Sequence, residues 1–408
     1  MLRPDEMGWS DGNRYLRYAT QLLDNGRFDK HLTAEPFYPV VWAGVYAVFG
    51  RQLITVRLFL ALAGTLLCYV VYRLATLLSG RGTGLLACSI AAVYPLFIYL
   101  SRTCEYPTHL FSLLLATTIF FTVSILKQPG PVWKWTACGI PLGLSALTVP
   151  TILSFSPFLA VWLLLAVRSP LPGRIFKTAL LTLSCTAVLL LFSAAWYQWY
   201  GEFRVFPFHT QRSGGAFFLG NSELNYVYGD TGYYALFEEG DPELEQHPVV
   251  KQHLKIQNTG RAIKDLNIRN QYFREQASKW ISENPRKFHA VLWRKFLAYW
   301  HPYVTPTLPN PDDSPLKRAI QAAAYLPMLI LAVCGVWVTR REWRYTVPLL
   351  LVIFTQCLTY TLFITRVRYR SHIESLLIVF AAAAVVHMWR RIARRLSDTG
   401  QPPPDNVR

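Results

Sequence analysis

Long apolar stretches alternate along this chain with short polar connections, and that pattern predicts helices before any residue is assigned chemistry. Nine runs of spanning or near-spanning length stand at about 52–78, 83–101, 106–126, 133–149, 151–167, 178–197, 318–339, 345–364 and 372–389. A helix crosses the bilayer core with roughly 20 apolar residues. The pattern therefore predicts an all-α polytopic membrane protein with about nine transmembrane helices. The fourth and fifth runs are short and meet at Thr148-Val149-Pro150-Thr151, which predicts a tight hairpin. Gly139 and Gly143, four apart in the fourth run, predict a close helix–helix approach.

Three segments depart from the spanning pattern. Residues 1–36 are polar, but Tyr15, Leu16, Ala19, Leu22 and Leu23 recur at helical spacing opposite Arg14, Arg17 and Gln21, as in an amphipathic helix on the membrane surface that Gly26 ends. Phe37–Phe49 is apolar but too short to cross, so a second interfacial helix is expected there. The long connection 198–317 carries thirteen acids between Glu202 and Asp313, over half of the chain's 24, and turn residues at Gly214-Gly215, Gly220-Asn221 and Gly229-Asp230-Thr231-Gly232. A small loop-rich domain is expected, ending in a surface helix over Arg286–Trp300 that sets Phe288, Val291, Leu292, Phe296 and Tyr299 against Lys287, Arg294 and Lys295. The expected divisions are 1–51, 52–197, 198–317, 318–390 and a disordered basic and Pro-rich tail, 391–408.

Charge orients the runs. Alternating them across the membrane puts Arg81, Lys127, Lys134, Arg168, Arg174, Lys177, Arg340, Arg341, Arg344, Arg390, Arg391, Arg394 and Arg395 on one face, which the positive-inside rule makes cytoplasmic. The short connections opposite hold only Arg102 and the triplet Arg366, Arg368 and Arg370. Residues 1–51 and 198–317 are then expected on the outer side of a plasma (bacterial inner) membrane. An outer N-terminus with no span before it implies either that the short segment translocates by itself or, the favoured expectation, that a first span is missing from this chain.

Composition narrows the class. With 52% hydrophobic, 14% aromatic and 16% charged residues, the chain is too apolar for an ordinary soluble domain. The net charge of +17 sits between spans, so topology explains it and a nucleic-acid partner is not expected. Six of the seven cysteines fall inside apolar runs, Cys104 stands at the end of one, and none has metal or disulfide spacing. Gly80-Arg81-Gly82-Thr83-Gly84 reads as a turn between spans, which leaves no nucleotide fingerprint. No cofactor is expected, and any divalent metal would have to rest on carboxylates.

The candidate chemistry lies in Thr365-Arg366-Val367-Arg368-Tyr369-Arg370-Ser371-His372, three guanidiniums in five residues at a membrane boundary. Arginine presents a planar fork that matches phosphate oxygens, so an anion held on the outer side would justify charge kept there against the topological bias. Glu105 stands at the outer end of a span beside Arg102 and His109 and reads either as a catalytic carboxylate or as the partner of Arg102. Asp11 reads as a carboxylate base or as the cap of the following helix.

The order Asp11-Gly12-Asn13-Arg14-Tyr15, Ala19 to Gly26, Pro36-Phe37-Tyr38-Pro39, Tyr94-Pro95 with Glu105, Gly220-Asn221 and Arg368-Tyr369-Arg370 resembles the GT-C class of integral-membrane glycosyltransferases. The nearest pattern is the dolichyl-phosphate-mannose-protein mannosyltransferase-like family, which includes bacterial aminoarabinose transferases, and the resemblance runs from about residue 8 to 390. It implies a polyprenyl-phosphate sugar donor and an acceptor hydroxyl on a lipid, glycan or protein. It also implies a base in the first outer loop, at Asp11 or in an Asp5-Glu6 register. Arg368 and Arg370, with Arg366, would hold the donor phosphate while Asp11 or Glu105 takes the proton, and a single base implies inversion. Lys287 and Lys295 could also face the phosphate, and Asn221, His209, Tyr233 and Tyr234 an acceptor. A lipid-linked glycan flippase or other transporter, and an O-antigen polymerase or ligase, remain as alternatives.

Overall fold

The computed structural model describes residues 11–30, 32, 35–103, 106–203, 210–229, 247–303 and 314–399. Among them the regular elements are all helical. Two short helices, α1 (Asp11–Asn25) and α2 (Phe37–Phe49), precede α3 (Leu53–Ser79), α4 (Arg81–Val93), α5 (Pro95–Thr103), α6 (Thr108–Lys127), α7 (Trp133–Thr148), α8 (Ser156–Ala166) and α9 (Leu171–Tyr200). Then come α10 (Thr210–Gly220), α11 (Pro248–Ala262), α12 (Leu266–Glu283) and α13 (Pro285–Tyr299), followed by α14 (Pro315–Val338), α15 (Trp343–Leu362) and α16 (Val367–Thr399).

Each apolar run forms helix, but the runs are not equivalent. Leu53–Ser79, Thr108–Lys127, Leu171–Tyr200, Pro315–Leu362 and Val367–Arg394 are long and apolar enough to cross a membrane. The protein is therefore a multi-pass membrane protein. Pro315–Leu362 holds two helices, α14 and α15, joined by a 3-10 turn at Thr339–Glu342, and each has about the length of one crossing. The second run is a broken pair: α4 and α5 meet at 53°. Pro95 supplies no N–H and keeps Tyr94 extended, at ψ 116°, so the helix restarts in a new direction.

The expected hairpin at 148–151 does not close. Val149 is extended, Pro150–Ser154 forms a 3-10 turn, α7 packs between α6 and α9, and α8 lies against α9 and α15. Gly139 and Gly143 do mark a close approach: a Cβ on Gly139 would stand 2.0 Å from Ser184 Oγ, and one on Gly143 2.8 Å from Cys185 O. At the centre runs α16, whose residues from Ser371 to Ala384 are buried without interruption among α14, α4, α6, α3 and α15. A helix buried all round must be small or apolar on every side, and Ala381–Ala384 meet that demand. Opposite them Gly335 lets α14 approach so closely that a Cβ there would stand 1.9 Å from Phe380 O.

The N-terminal helices do not lie apolar face down on the membrane. Tyr15, Tyr18 and Ala19 of α1 are buried in one cluster with Tyr38 and Trp42 of α2, Val56 and Leu60 of α3, Leu110 of α6 and Trp196 of α9. Leu16, Leu22 and Leu23, expected on the buried face, form its margin. The reason is competition: the ends of three spanning helices offer aromatic surface that α1 and α2 cover together.

The connection expected to be loop-rich is largely helical over its described residues. Gly214-Gly215 lies inside α10, where Gly214 faces Asn270 of α12 and a Cβ would stand 2.0 Å from Asn270 O. Phe218 stacks on His253 at 4.8 Å and on Phe273 at 5.6 Å, joining α10, α11 and α12. Burial pushes His253 down from 6.5 to about 4. The folded unit holds this imidazole neutral, whereas the unfolded chain binds a proton below 6.5, so its contribution to stability is complete above that value and is lost as pH falls towards 4. Melting temperatures measured across this window should fall more steeply for the wild type than for His253→Phe, and equal slopes would disprove the assignment.

Candidate active site

Helix geometry separates the three arginines. Because α16 begins at Val367, Arg368 and Arg370 both sit on its first turn, about 200° apart around the axis. They face different neighbours.

Arg370 turns inward and is only 2% exposed. Its Nε donates to Glu374 Oε1 at 2.8 Å, and its Nη1 donates to the carbonyls of Tyr299, at 3.3 Å, and of His301. The guanidinium lies 3.5 Å from the ring centre of Tyr325. Burying a charge costs several kcal/mol unless a partner and further hydrogen bonds replace water. Here Glu374, two carbonyls and a ring face do so, and they fasten α16 to the end of α13 and to α14. A guanidinium engaged in this way is a structural tie, which distinguishes Arg370 from the phosphate ligand expected from the sequence. Arg370 and Glu374 are four residues apart, so helical spacing alone could have announced the pair.

Arg368 turns the other way and is half-buried. Its guanidinium covers the ring of Tyr106 at 4.3 Å, and its Nη1 donates to the Tyr106 hydroxyl. Tyr106 directly follows Glu105, which lies outside the described residues, as do the side chains of Arg102 and Asp11 and the whole of Asp5, Glu6, His209, Tyr233 and Tyr234. Asp11 is the first residue of α1, one turn before Tyr15. Tyr15 donates its hydroxyl to Glu35 Oε2 at 3.0 Å. Tyr360, at the end of α15 that leads into the arginine turn, is within electrostatic reach of both Glu35 and Arg368. Glu35, bonded to Tyr15, is a further acid on this side of the fold that the sequence reading passed over. Its signal was present, since it stands immediately before Pro36-Phe37-Tyr38-Pro39 and the start of α2.

The turn that carries Arg366 into α16 is clamped from outside. Gly220 meets Phe363 so closely that a Cβ would stand 1.6 Å from its carbonyl oxygen. Next to it Asn221 Nδ2 donates to Leu362 O at 2.9 Å, while Lys295 Nζ donates to Phe363 O at 2.9 Å and to Asn221 Oδ1 at 3.1 Å. Lys295 is 1% exposed, which corrects its placement on an open basic stripe. Val291, Lys295 and Tyr299 recur every four residues, so the buried face of α13 takes the lysine with it. Trp293, Phe296 and Leu297 stay outside. Lys287 is spent on Glu223 at 2.7 Å. On the inner side Thr365 Oγ1 donates to Tyr360 O at 2.9 Å, and Tyr369 stacks on Tyr360 at 4.4 Å. His109 Nε2 lies 2.8 Å from Ser101 Oγ and 2.7 Å from Phe97 O, holding α6 to α5. His301 Nδ1 lies 3.1 Å from Tyr303 O.

Residues 33–198 match the family model described as dolichyl-phosphate-mannose-protein mannosyltransferase. The oligosaccharyltransferase AglB from Archaeoglobus fulgidus, solved in complex with an inhibitory peptide and a dolichol-phosphate, superimposes with a TM-score of 0.56 at 13% identity, over 97% of this chain and 49% of that one. This is a GT-C fold. The apo form of the same enzyme gives a TM-score of 0.57 at 12% identity over 96% and 48%. ArnT from Cupriavidus metallidurans bound to undecaprenyl phosphate gives 0.43 at 16% identity over 98% and 77%. No curated protein sequence matches. The chain spans about half the length of the archaeal enzyme. The resemblance to the GT-C class expected from the motifs therefore holds.

The clamp makes a prediction. Gly220→Ala must displace Phe363 or α10, at the cost of overpacking, about 1–3 kcal/mol. Lys287→Ala removes only a half-exposed pair, worth under about 1 kcal/mol. Thermal melting in detergent should rank Gly220→Ala well below Lys287→Ala, and the reverse order would refute the clamp.

Proposed function

We propose that the protein transfers a sugar from a polyprenyl-phosphate donor to an acceptor hydroxyl at the extracytoplasmic face of the membrane, with inversion at the anomeric carbon. The observation that carries this reading is the contact between Arg368 and Tyr106, 262 residues apart in sequence, which sets the arginine turn against the residue that follows Glu105 in the chain. Glu35 and the start of α1 approach the same region through Tyr15 and Tyr360. Cations and carboxylates gathered at helix ends are what such a displacement requires. The fold shared with an enzyme solved with a dolichol-phosphate supports a lipid-borne phosphate, as does the family model matched over 33–198.

In this scheme the bond from the anomeric carbon to the phosphate oxygen breaks as the acceptor oxygen attacks from the opposite side. Charge grows on the departing phosphate, and Arg368, with Arg366 on the same turn, stabilises it. Arg370 holds the turn rather than the phosphate. The acceptor proton passes to a carboxylate, at Asp11 or Glu105 as the family pattern suggests, with Glu35 alongside them. A lone base gives a single displacement and hence inversion; retention would need a second carboxylate acting as nucleophile. The acceptor is a lipid, glycan or protein hydroxyl presented beside the helical unit α10–α13.

The test is transfer from radiolabelled polyprenyl-phosphate sugars by purified protein in lipid. Arg368→Ala, Asp11→Asn and Glu105→Gln should each lower the rate about a hundredfold or more if the group acts in the transition state, while Lys287→Ala should leave it unchanged. Full transfer by all three would overturn the site. Failure to consume any polyprenyl donor would overturn the enzyme class.

A further inference from the structure

At the opposite end of α15 from the arginine turn, about 30 Å away along a 20-residue helix, lies a second cationic site. A cavity of about 590 Å³ opens between the end of α8, the start of α9 and the start of α15. Arg168, Arg174, Arg344, Ser169, Trp162 and Trp343 line it, with no carboxylate among the described residues. The nearest acid in sequence, Glu342, is exposed outside the lining.

The wall is built rather than incidental. Arg344 donates to the carbonyl of Ala166 and Arg174 Nη1 to that of Leu164 at 2.7 Å, so both guanidiniums are held at the C-terminal end of α8, where free carbonyls attract cations. Trp162 Nε1 donates to Arg344 O at 3.3 Å, and its ring meets Trp343 edge-on at 5.5 Å. Arg174 Nε and Ser169 Oγ are buried with no hydrogen-bond partner among the described residues. Buried polar atoms left in this state can take an acceptor from outside the chain. Beside the cavity, Leu165 of α8 is 71% exposed, as suits a surface against acyl chains.

We infer that this cavity binds the headgroup of an anionic phospholipid in the leaflet opposite the proposed transfer site. The phosphodiester accepts from Arg174, Ser169 and Arg168. Trp162 and Trp343 lie at headgroup depth, and the acyl chains run along α8. Guanidinium forks match phosphate oxygens, tryptophan favours the interface, and basic pockets between spanning helices suit anionic headgroups. The volume falls in the range of ordinary ligand sites. A lipid bound here would touch α8, α9 and α15 together.

Native mass spectrometry of the purified full chain, extracted from vesicles of phosphatidylcholine containing a minority of phosphatidylglycerol, tests this directly. The wild type should retain phosphatidylglycerol and melt at a higher temperature with it than in phosphatidylcholine alone. The double variant Arg168→Gln, Arg174→Gln should retain it about tenfold less or weaker still, as expected for the loss of charged hydrogen bonds. Arg168→Gln alone removes an exposed side chain that the fold does not use, so it reads the same effect at smaller size should the double variant fail to fold. Equal retention by wild type and Arg168→Gln would overturn the proposal. Equal stabilisation by phosphatidylcholine, or by millimolar inorganic phosphate, would also overturn it, showing a general lipid surface or a free-anion site instead.

Discussion

The buried pair of Arg370 and Glu374 is the constraint on which the arginine-bearing end of the molecule depends. It puts two charges into a helix whose every side is covered, where an ion without a partner would cost several kcal/mol. The pair is tolerable only in one arrangement, with Glu374 one turn along the helix, the carbonyls of Tyr299 and His301 on Nη1 and the ring of Tyr325 over the guanidinium. These partners come from three segments far apart in sequence. Satisfying one buried charge therefore brings the end of α13, the middle of α14 and the start of α16 into register.

Once Arg370 is fixed, Arg368 has little choice. Two residues back on the same helix, it must emerge on roughly the opposite side, and there it meets Tyr106. The inward arginine thereby aims the outward one. The clamp of Gly220, Asn221 and Lys295 does the corresponding work on the preceding turn, using the carbonyls of Leu362 and Phe363, which no helical N–H reaches. In the proposed transfer, a cation on a turn held in this way needs little rearrangement when charge develops beside it, and that preorganisation is what electrostatic stabilisation of a leaving group requires. Lys295 contributes by ordering backbone, so its burial and its distance from solvent are part of its role.

Much of this was legible in the sequence, and the misses have a common cause. The nine apolar runs appear as helices, and Gly139 and Gly143 mark the α7–α9 approach, because each rests on local periodicity or spacing. What failed depends on a partner. The apolar face of α1 was assigned to lipid, yet it belongs to α2 and the ends of α3, α6 and α9. Gly214-Gly215 looked like a turn because glycine usually breaks a helix, whereas here the missing Cβ makes room for Asn270. Lys295 read as surface because lysine almost always is, and only the carbonyl of Phe363 explains it. Arg366, Arg368 and Arg370 looked like one cluster because a string of letters has no phase; the start of α16 at Val367 supplies it.

The bilayer itself explains why polar chemistry gathers where it does. A charged side chain at mid-membrane costs about 2.5–3.5 kcal/mol even by the mildest scales, so a chain that crosses repeatedly is pressed to keep its ionisable groups at helix ends. Ends of neighbouring crossings meet at two levels only, one per face. Groups from distant parts of the sequence are thereby collected into two thin layers, and the start of α6 meets the start of α16 although 262 residues separate Tyr106 from Arg368. The same rule gathers Arg168, Arg174 and Arg344 at the other level. Even Glu374, the acid set deepest in the cover of α16, is only one turn from Arg370 and two from the start of its helix. The depth at which it stops is the depth at which the carbonyls of α13 can still reach its partner.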